Sequence, residues 1–410
     1  MQQGEYIVLR ESSLVDLGNP FSPFARNALA SREKGISEGL GLSVELESLN
    51  SRDFANLRRD PQVISIARTM PVSLIAPVAY AGSGDNNSLD EEKVTWGIKA
   101  TGADSSSYTG KGVTVAVLDT GIDAGHEAFK GVNILQKDFT GEGDGDKHGH
   151  GTHCAGTVFG QEVDGMRFGV APGVEKALIG KVLSAQGGGS SEQIYRAILW
   201  AINEGANVIS MSLGMNFPGM VKSLIEKKDI PADLATSMAL ESYRANVKLF
   251  DHLAGLIRAR GSLFQGTVVI AAAGNESKRN INKDYELTVA PPAAADGIIS
   301  VGALQTSGTP HDSLSIADFS NTGPNISAPG VRVKSAKTGG GFIEFSGTSM
   351  ATPHVAGLAA LWAEKLNSMT GSFNTIELTA RLIGQSTRAK LAKDSEPMDV
   401  GAGLAQAPLE

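Results

Sequence analysis

The chain has 410 residues, 36 basic and 44 acidic side chains and a net charge of −8, with 41% hydrophobic and 20% charged residues. That balance supports a sizeable core, enough for one large α/β domain and a smaller companion, and excludes a mostly disordered chain. The acidic excess without a basic block argues against nucleic-acid binding, no apolar run of about 18 residues offers a membrane span, and the single Cys154 excludes an internal disulfide or a Cys-rich zinc site.

Taken in chain order, Tyr6–Arg10 and Leu42–Leu46 read as strands. Ser51–Arg59 reads as a short helix, capped by Asn50 or Ser51 and stopped before Pro61. Gln62–Ala67 carries Val63, Ile64 and Ile66 and suits another strand. The pattern predicts a small α+β domain over 1–80, of ferredoxin-like type. An acidic, glycine- and serine-containing stretch follows and predicts a linker over 81–93. The start, MQQGEYIVLR, shows no basic segment leading into an apolar one, so the expectation for the sequence as written is a cytoplasmic protein, or a secreted one if a signal peptide was removed.

Over 94–410, continuous apolar runs alternate with helical patterns. The runs are Val113–Leu118, Ala177–Leu183, Val208–Leu213, Thr267–Ala273 and Ile298–Ala303. Runs without polar alternation suit strands covered on both faces, so the expected fold is α/β, a parallel sheet flanked by helices. Ligands of such sheets bind beyond the carboxyl ends of the strands. Unusual residues cluster there: Asp119 ends an apolar run, His148, His150 and His153 stand in a glycine-rich turn, and Ser349 opens an apolar helix.

A serine hydroxyl is a weak nucleophile at neutral pH. It needs an imidazole to take its proton and a carboxylate to hold that imidazole in the right tautomer. Asp119, His150 and Ser349 occur in that order, and Ala271–Asn275 places an amide side chain after an apolar strand, where it could stabilise an oxyanion. Other chemistries fit less well. Asp119-Thr-Gly has no second copy, as a carboxylate-pair protease would need within one chain. The histidines are separated by glycine rather than set on a helix with a glutamate, so no metal ligand is assigned. Gly347-Thr-Ser-Met-Ala351 is not the nucleophile elbow of an α/β-hydrolase. Asp138, Glu142, Asp144 and Asp146 could hold calcium as a structural ion, although they read first as solvated turn carboxylates, and no other cofactor is implied.

Val117–Gly121, His148–Gly156 and Ser346–Gly357 together resemble the subtilisin-like serine peptidases, and His-Gly-Thr-His-Cys-Ala-Gly is most similar to the proteinase K branch. The resemblance covers about 94–407. It implies that Asp119 orients, His150 is the general base, Ser349 is the nucleophile and Asn275 donates to the oxyanion. It makes Cys154 a small buried residue behind the site. It further implies peptide or unfolded protein substrates, neither nucleic acid nor membrane as partner, and substrate strands pairing with Gly187, Gly188 and Gly189 on one edge and with Ser212, Leu213 and Gly214 on the other. Ala272, Ala273 and Gly274, with Leu213, would wall an apolar pocket for the residue before the scissile bond.

Residues 1–80 resemble the family's inhibitory propeptide, which leaves its tail in the cleft. The expectation is therefore a self-inhibited precursor whose own N-terminal domain is an intramolecular inhibitor, with self-cleavage near Tyr80–Ala81 and Tyr80 in the pocket. The stretch after Gly214 departs from the family pattern by an insertion of about 215–243, with a long helix over Ala232–Arg260 that overlaps its end, read either as an inert packed helix or as a lip over the cleft. A catalytically idle peptide-binding scaffold is the alternative to an active enzyme, and the presence of all four expected groups disfavours it.

Overall fold

The computed structural model describes residues 4–11, 36–37, 41–79, 93–261, 266–306 and 313–409. The N-terminal part forms a four-stranded antiparallel sheet from β1 (Gly4–Glu11), β2 (Ile36–Ser37), β3 (Leu42–Leu49) and β4 (Val63–Arg68), in the order β2-β3-β1-β4. The Ser51–Leu57 helix is capped by Asn50, whose side chain accepts from the amides of Arg52 and Asp53 at 2.8 and 3.0 Å. Alternation in β1 then sorts the side chains. Tyr6 and Val8 pack with Leu49 and Phe54, whereas Ile7 and Leu9 face the rest of the protein and share its core.

The chain leaves this sheet through β5 (Pro71–Leu74), a strand not expected from the sequence, which belongs to another layer. Next come β6 (Thr114–Asp119), β7 (Asn133–Asp138), β8 (Lys176–Lys181), β9 (Gly188–Ser190), β10 (Val208–Met211) and β11 (Leu213–Met215). They are followed by β12 (Val268–Ala272), β13 (Ile298–Thr306), β14 (Leu314–Ile316) and β15 (Ile326–Pro329). The main sheet runs β14-β13-β12-β10-β6-β8-β7, with β15 also on β13, and every pair in it is parallel except β13 with β14. A hairpin of β16 (Val333–Ala336) and β17 (Phe342–Phe345) lies apart.

The five apolar runs all fall on strands of this sheet, and their lack of alternation has a direct cause. In β6, Val115 and Val117 enter one core while Ala116 and Leu118 enter the other; in β12, Val268 and Ile270 oppose Val269 and Ala271 in the same way. Each face is sealed by helices. The helices His150–Phe159 and Thr348–Thr370 cover the first, and Ser191–Asn203 and Ala232–Gly261 the second. The edge strand β7 escaped the sequence reading because polar residues interrupt it (Asn-Ile-Leu-Gln-Lys-Asp).

The insertion after Gly214 forms the helix Phe217–Lys228, followed by the 30-residue helix Ala232–Gly261. The longer helix is not inert, because it seats the N-terminal sheet. Asn246, fully buried, donates from Nδ2 to the Arg68 carbonyl at 2.8 Å, where β4 ends. Phe250, Leu253 and Ile257 join Ile7, Leu9 and Val44 in one core. No helix among the described residues is long and apolar enough to cross a membrane.

Candidate active site

Asp119 closes β6, an interior strand between β8 and β10, and His150 opens the His150–Phe159 helix. Both are buried, and Asp119 Oδ1 lies 2.8 Å from His150 Nδ1. The amide of Thr120 donates to the same Oδ1 at 2.7 Å. His150 Nε2 is buried without a hydrogen-bond partner. Burial alone would lower the His150 pKa, but the neighbouring Asp119 charge outweighs it, with Cys154 adding, and the result is raised well above 6.5.

Ser349 is the second residue of the Thr348–Thr370 helix and is fully buried. Its Oγ donates to the carbonyl of Ile75 at 2.6 Å rather than to the imidazole. Cys154 Sγ sits between the groups, 3.7 Å from His150 Nδ1 and 3.4 Å from the Ser349 carbonyl oxygen. Among the described residues, Asp119, His150 and Cys154 are a set able to offer metal-ligand atoms within 4.8 Å of one another. Asn275 is oriented by a residue the sequence reading missed. The amide and the hydroxyl of Thr348 donate to Asn275 Oδ1 at 2.9 and 2.8 Å, leaving Nδ2 to point outward, where it donates to the Ala76 carbonyl at 3.0 Å. Gly347 is required beside it, because a Cβ there would come within 2.8 Å of Asn275 Nδ2.

A strand of the chain's own N-terminal part lies against Ser349 and Asn275. β5 lies between β9 and β11 and is antiparallel to both. Ser73 pairs with Gly188 and Gly214, Val72 with Gly189, and Leu74 with Leu213, while the Leu74 amide donates to the Gly187 carbonyl at 2.8 Å. Five of the expected edge residues thus meet one strand. Ser212 instead turns its hydroxyl to the Ser349 carbonyl at 3.1 Å. Ile75 is buried, and its side chain lies close enough to Gly214 that an added Cβ would stand 3.5 Å from it. Ala272, Ala273 and Gly274 are buried at the end of β12, and Asn321 binds the Ala273 carbonyl through Nδ2 at 3.2 Å. The peptide unit at Ser349 is therefore Ile75–Ala76, and Tyr80–Ala81 lies outside the described residues.

His148 is exposed, as expected of a loop residue. The acidic stretch before it is a correction. Asp138 accepts from Thr140 and from the Gly143 amide, Glu142 from the Ala185 amide, and Asp146 is buried with five protein donors, so these three are not simply solvated turn carboxylates, whereas Asp144 is exposed as expected.

Two further histidines are buried in this face of the core. Burial lowers His153 to about 3, partly opposed by its contact with the Val333 carbonyl, and lowers His354 to about 4. Both are neutral in the fold, whereas an unfolded histidine titrates near 6.5. The unfolded chain thus binds more protons between pH 6.5 and those values, so their stabilisation is complete above 6.5 and is lost as pH falls. His150 has the opposite sign: its contribution is complete below 6.5 and is lost as pH rises through its raised pKa. Of these three histidines, only the first two change between pH 6.5 and 4. Thermal melts should therefore show stability falling by several kcal/mol across that window, on the order that linkage gives for such displacements. A melting temperature level from pH 6.5 to 4 would contradict this.

Comparison with known proteins agrees with the geometry. The profile of the Subtilase family matches residues 110–402. The chain is similar to "Thermostable alkaline protease" of Halalkalibacterium halodurans, 34% identical over 229 residues, which is 55% of this chain and 50% of that protein. "Subtilisin DY" of Bacillus licheniformis is 34% identical over 245 residues, 59% of this chain and 73% of that protein. "Subtilisin-like protease 2" of Pseudogymnoascus destructans is 31% identical over 349 residues, 81% of this chain and 73% of that protein. The chain thus spans half of the first of these and about three quarters of the other two. With an aspartate, a histidine, a serine and an asparagine gathered at the strand ends of a parallel sheet, and with a family profile over most of its length, the chain belongs to the subtilase family and is a serine endopeptidase.

Proposed function

We propose that the peptidase works through Asp119, His150 and Ser349, and that its own N-terminal segment holds it inactive. In this reading Asp119 keeps the His150 Nδ1 proton in place, and Nε2 takes the proton of Ser349 Oγ as that oxygen attacks a peptide carbonyl. The Ser349 N–H and Asn275 Nδ2 receive the developing negative charge. The imidazolium then protonates the leaving amine, and water repeats the sequence to free the enzyme.

The observation that carries the inhibition is the Ser349 hydroxyl on the Ile75 carbonyl, at 2.6 Å, with β5 paired on both sides like a substrate. Asn275 serves the next carbonyl, that of Ala76. Attack requires nucleophile and oxyanion donors to converge on one carbonyl, so the segment is bound one step away from cleavage geometry. The domain division at 1–80, 81–93 and 94–410 fits a precursor in which the first part is inhibitor. The peptide bond that this contact offers for self-processing is Ile75–Ala76. The His150–Gly156 motif keeps the likeness to the proteinase K branch, and Ile75 against Gly214 supports substrates with an apolar residue before the scissile bond.

An Ile75→Asp variant puts an unpaired carboxylate into an apolar position, which costs several kcal/mol. The cleft should open, and the initial rate of hydrolysis of a short peptide should rise at least about 10-fold. A peptide with isoleucine before the scissile bond should be cut faster than one with arginine. An unchanged rate in the variant, or preference for arginine, would contradict the respective half of the proposal.

A further inference from the structure

The sequence gives Asp146 no catalytic part, yet its carboxylate is 7% exposed and takes five hydrogen bonds. Oδ1 accepts from Thr120 Oγ1 at 2.9 Å, from the His148 amide at 3.0 Å and from the Gly149 amide at 2.8 Å. Oδ2 accepts from the amide and the hydroxyl of Thr152 at 2.9 and 2.7 Å. Both hydroxyls pass the connection on. Thr120 Oγ1 accepts from the Gly151 amide and Thr152 Oγ1 from the Asp123 amide, each at 2.9 Å.

The His150–Phe159 helix receives no side-chain cap from Gly149, the residue at its N-cap. Its first turn is capped from outside: the Gly151 amide ends on Thr120 and the Thr152 amide on Asp146. Thr120 is covalently next to Asp119, and its own amide donates to the Asp119 oxygen that faces His150. Asp146 therefore closes a ring that runs through Thr120 and Asp119 to His150, and back along the helix to Thr152. Glycines let the two backbones meet at this point, since a Cβ on Gly151 would stand 2.1 Å from the Gly121 carbonyl oxygen.

We infer that Asp146 is a positioning residue for the triad, setting the rotation of the helix that carries His150 against the strand end that carries Asp119. The inference rests on the triad roles proposed above. Charge is part of the device. A carboxylate at a helix N-terminus is favoured by the dipole, and five donors converge on two oxygens. The carboxyl pKa is lowered: burial would raise it, but the bonds from Gly149, Thr152 and Thr120 prevail. An asparagine in either orientation would turn its NH2 group against at least two of those donors.

The test uses full-length protein carrying Asp146→Asn, and separately Thr120→Val, which keeps the carboxylate and removes one relay hydroxyl. Misplacing a catalytic group by about 1 Å can cost on the order of 100-fold. The expected result is a 10- to 100-fold fall in kcat for Asp146→Asn and a smaller fall for Thr120→Val, with KM within about twofold. The downfield proton resonance of the His150 Nδ1–H should be displaced in both. If Asp146→Asn fails to fold, Thr120→Val decides the matter alone. Wild-type kcat in a folded variant overturns the inference. So does a fall in melting temperature with the imidazole resonance unmoved, because Asp146 would then serve stability only. Failure of the triad reading would appear elsewhere, as wild-type hydrolysis by Ser349→Ala.

Discussion

Replacing Ser349 with alanine is expected to abolish peptide hydrolysis, with a loss in turnover on the order of 10^6-fold, the size known for removing the serine of a subtilisin. The expectation follows from how the group is built. His150 Nε2 is buried without a partner, and its other nitrogen lies 2.8 Å from Asp119 Oδ1, which is the arrangement that the proposed proton transfer needs. The hydroxyl able to give the proton is that of Ser349, at the start of the Thr348–Thr370 helix and near enough for Cys154 Sγ to touch both residues. The loss should be about as large for His150→Ala, and the double variant should be hardly worse than either, since the pair acts as a unit. Purified Ser349→Ala protein that still cuts a denatured protein at the wild-type rate would end the assignment.

Asn275→Ala is expected to lower kcat by roughly 100- to 1000-fold with KM nearly unchanged, a magnitude carried over from the amide donor of a subtilisin. The donor matters most where charge develops, so its loss falls on the transition state rather than on binding. Thr348 sharpens the test. Its amide and hydroxyl fix Asn275 Oδ1 and thereby aim Nδ2, and Thr348→Val removes only the hydroxyl. That variant should lose less than Asn275→Ala, and combining the two should add little. Near-wild-type kcat for Asn275→Ala would remove the side chain from the oxyanion site.

The groups proposed for catalysis are legible in the sequence because each stands in a short local pattern: Asp119 after an apolar run, His150 before a helix, Ser349 at a helix start, Asn275 after a strand. Such patterns are covalently contiguous, and the fold has only to carry them to one end of the sheet. The parallel sheet was legible for a related reason, since strands covered on both faces lose their polar alternation, as in β6 and β12. What the sequence hid was contact between distant segments. Ile75 meets Ser349 across 274 positions, and β5 is short and unremarkable until β9 and β11 flank it, so this contact is not legible in the sequence. Asp146 looked like one more acid in a glycine-rich loop, because its burial is produced by Thr120 and Thr152 from neighbouring elements. The inserted helix read as apolar at helical spacing, but nothing in that spacing says that the N-terminal sheet is the surface it faces.

The most direct measurement is reaction of the full-length protein with a fluorophosphonate, followed by mass spectrometric mapping of the label. A single adduct on Ser349 is predicted, formed slowly in the wild type, faster in Ile75→Asp, and not at all in His150→Ala. Label scattered over other serines, or an adduct on Ser349 that forms equally fast without His150, would contradict a nucleophile activated by that imidazole and shielded by the chain's own segment.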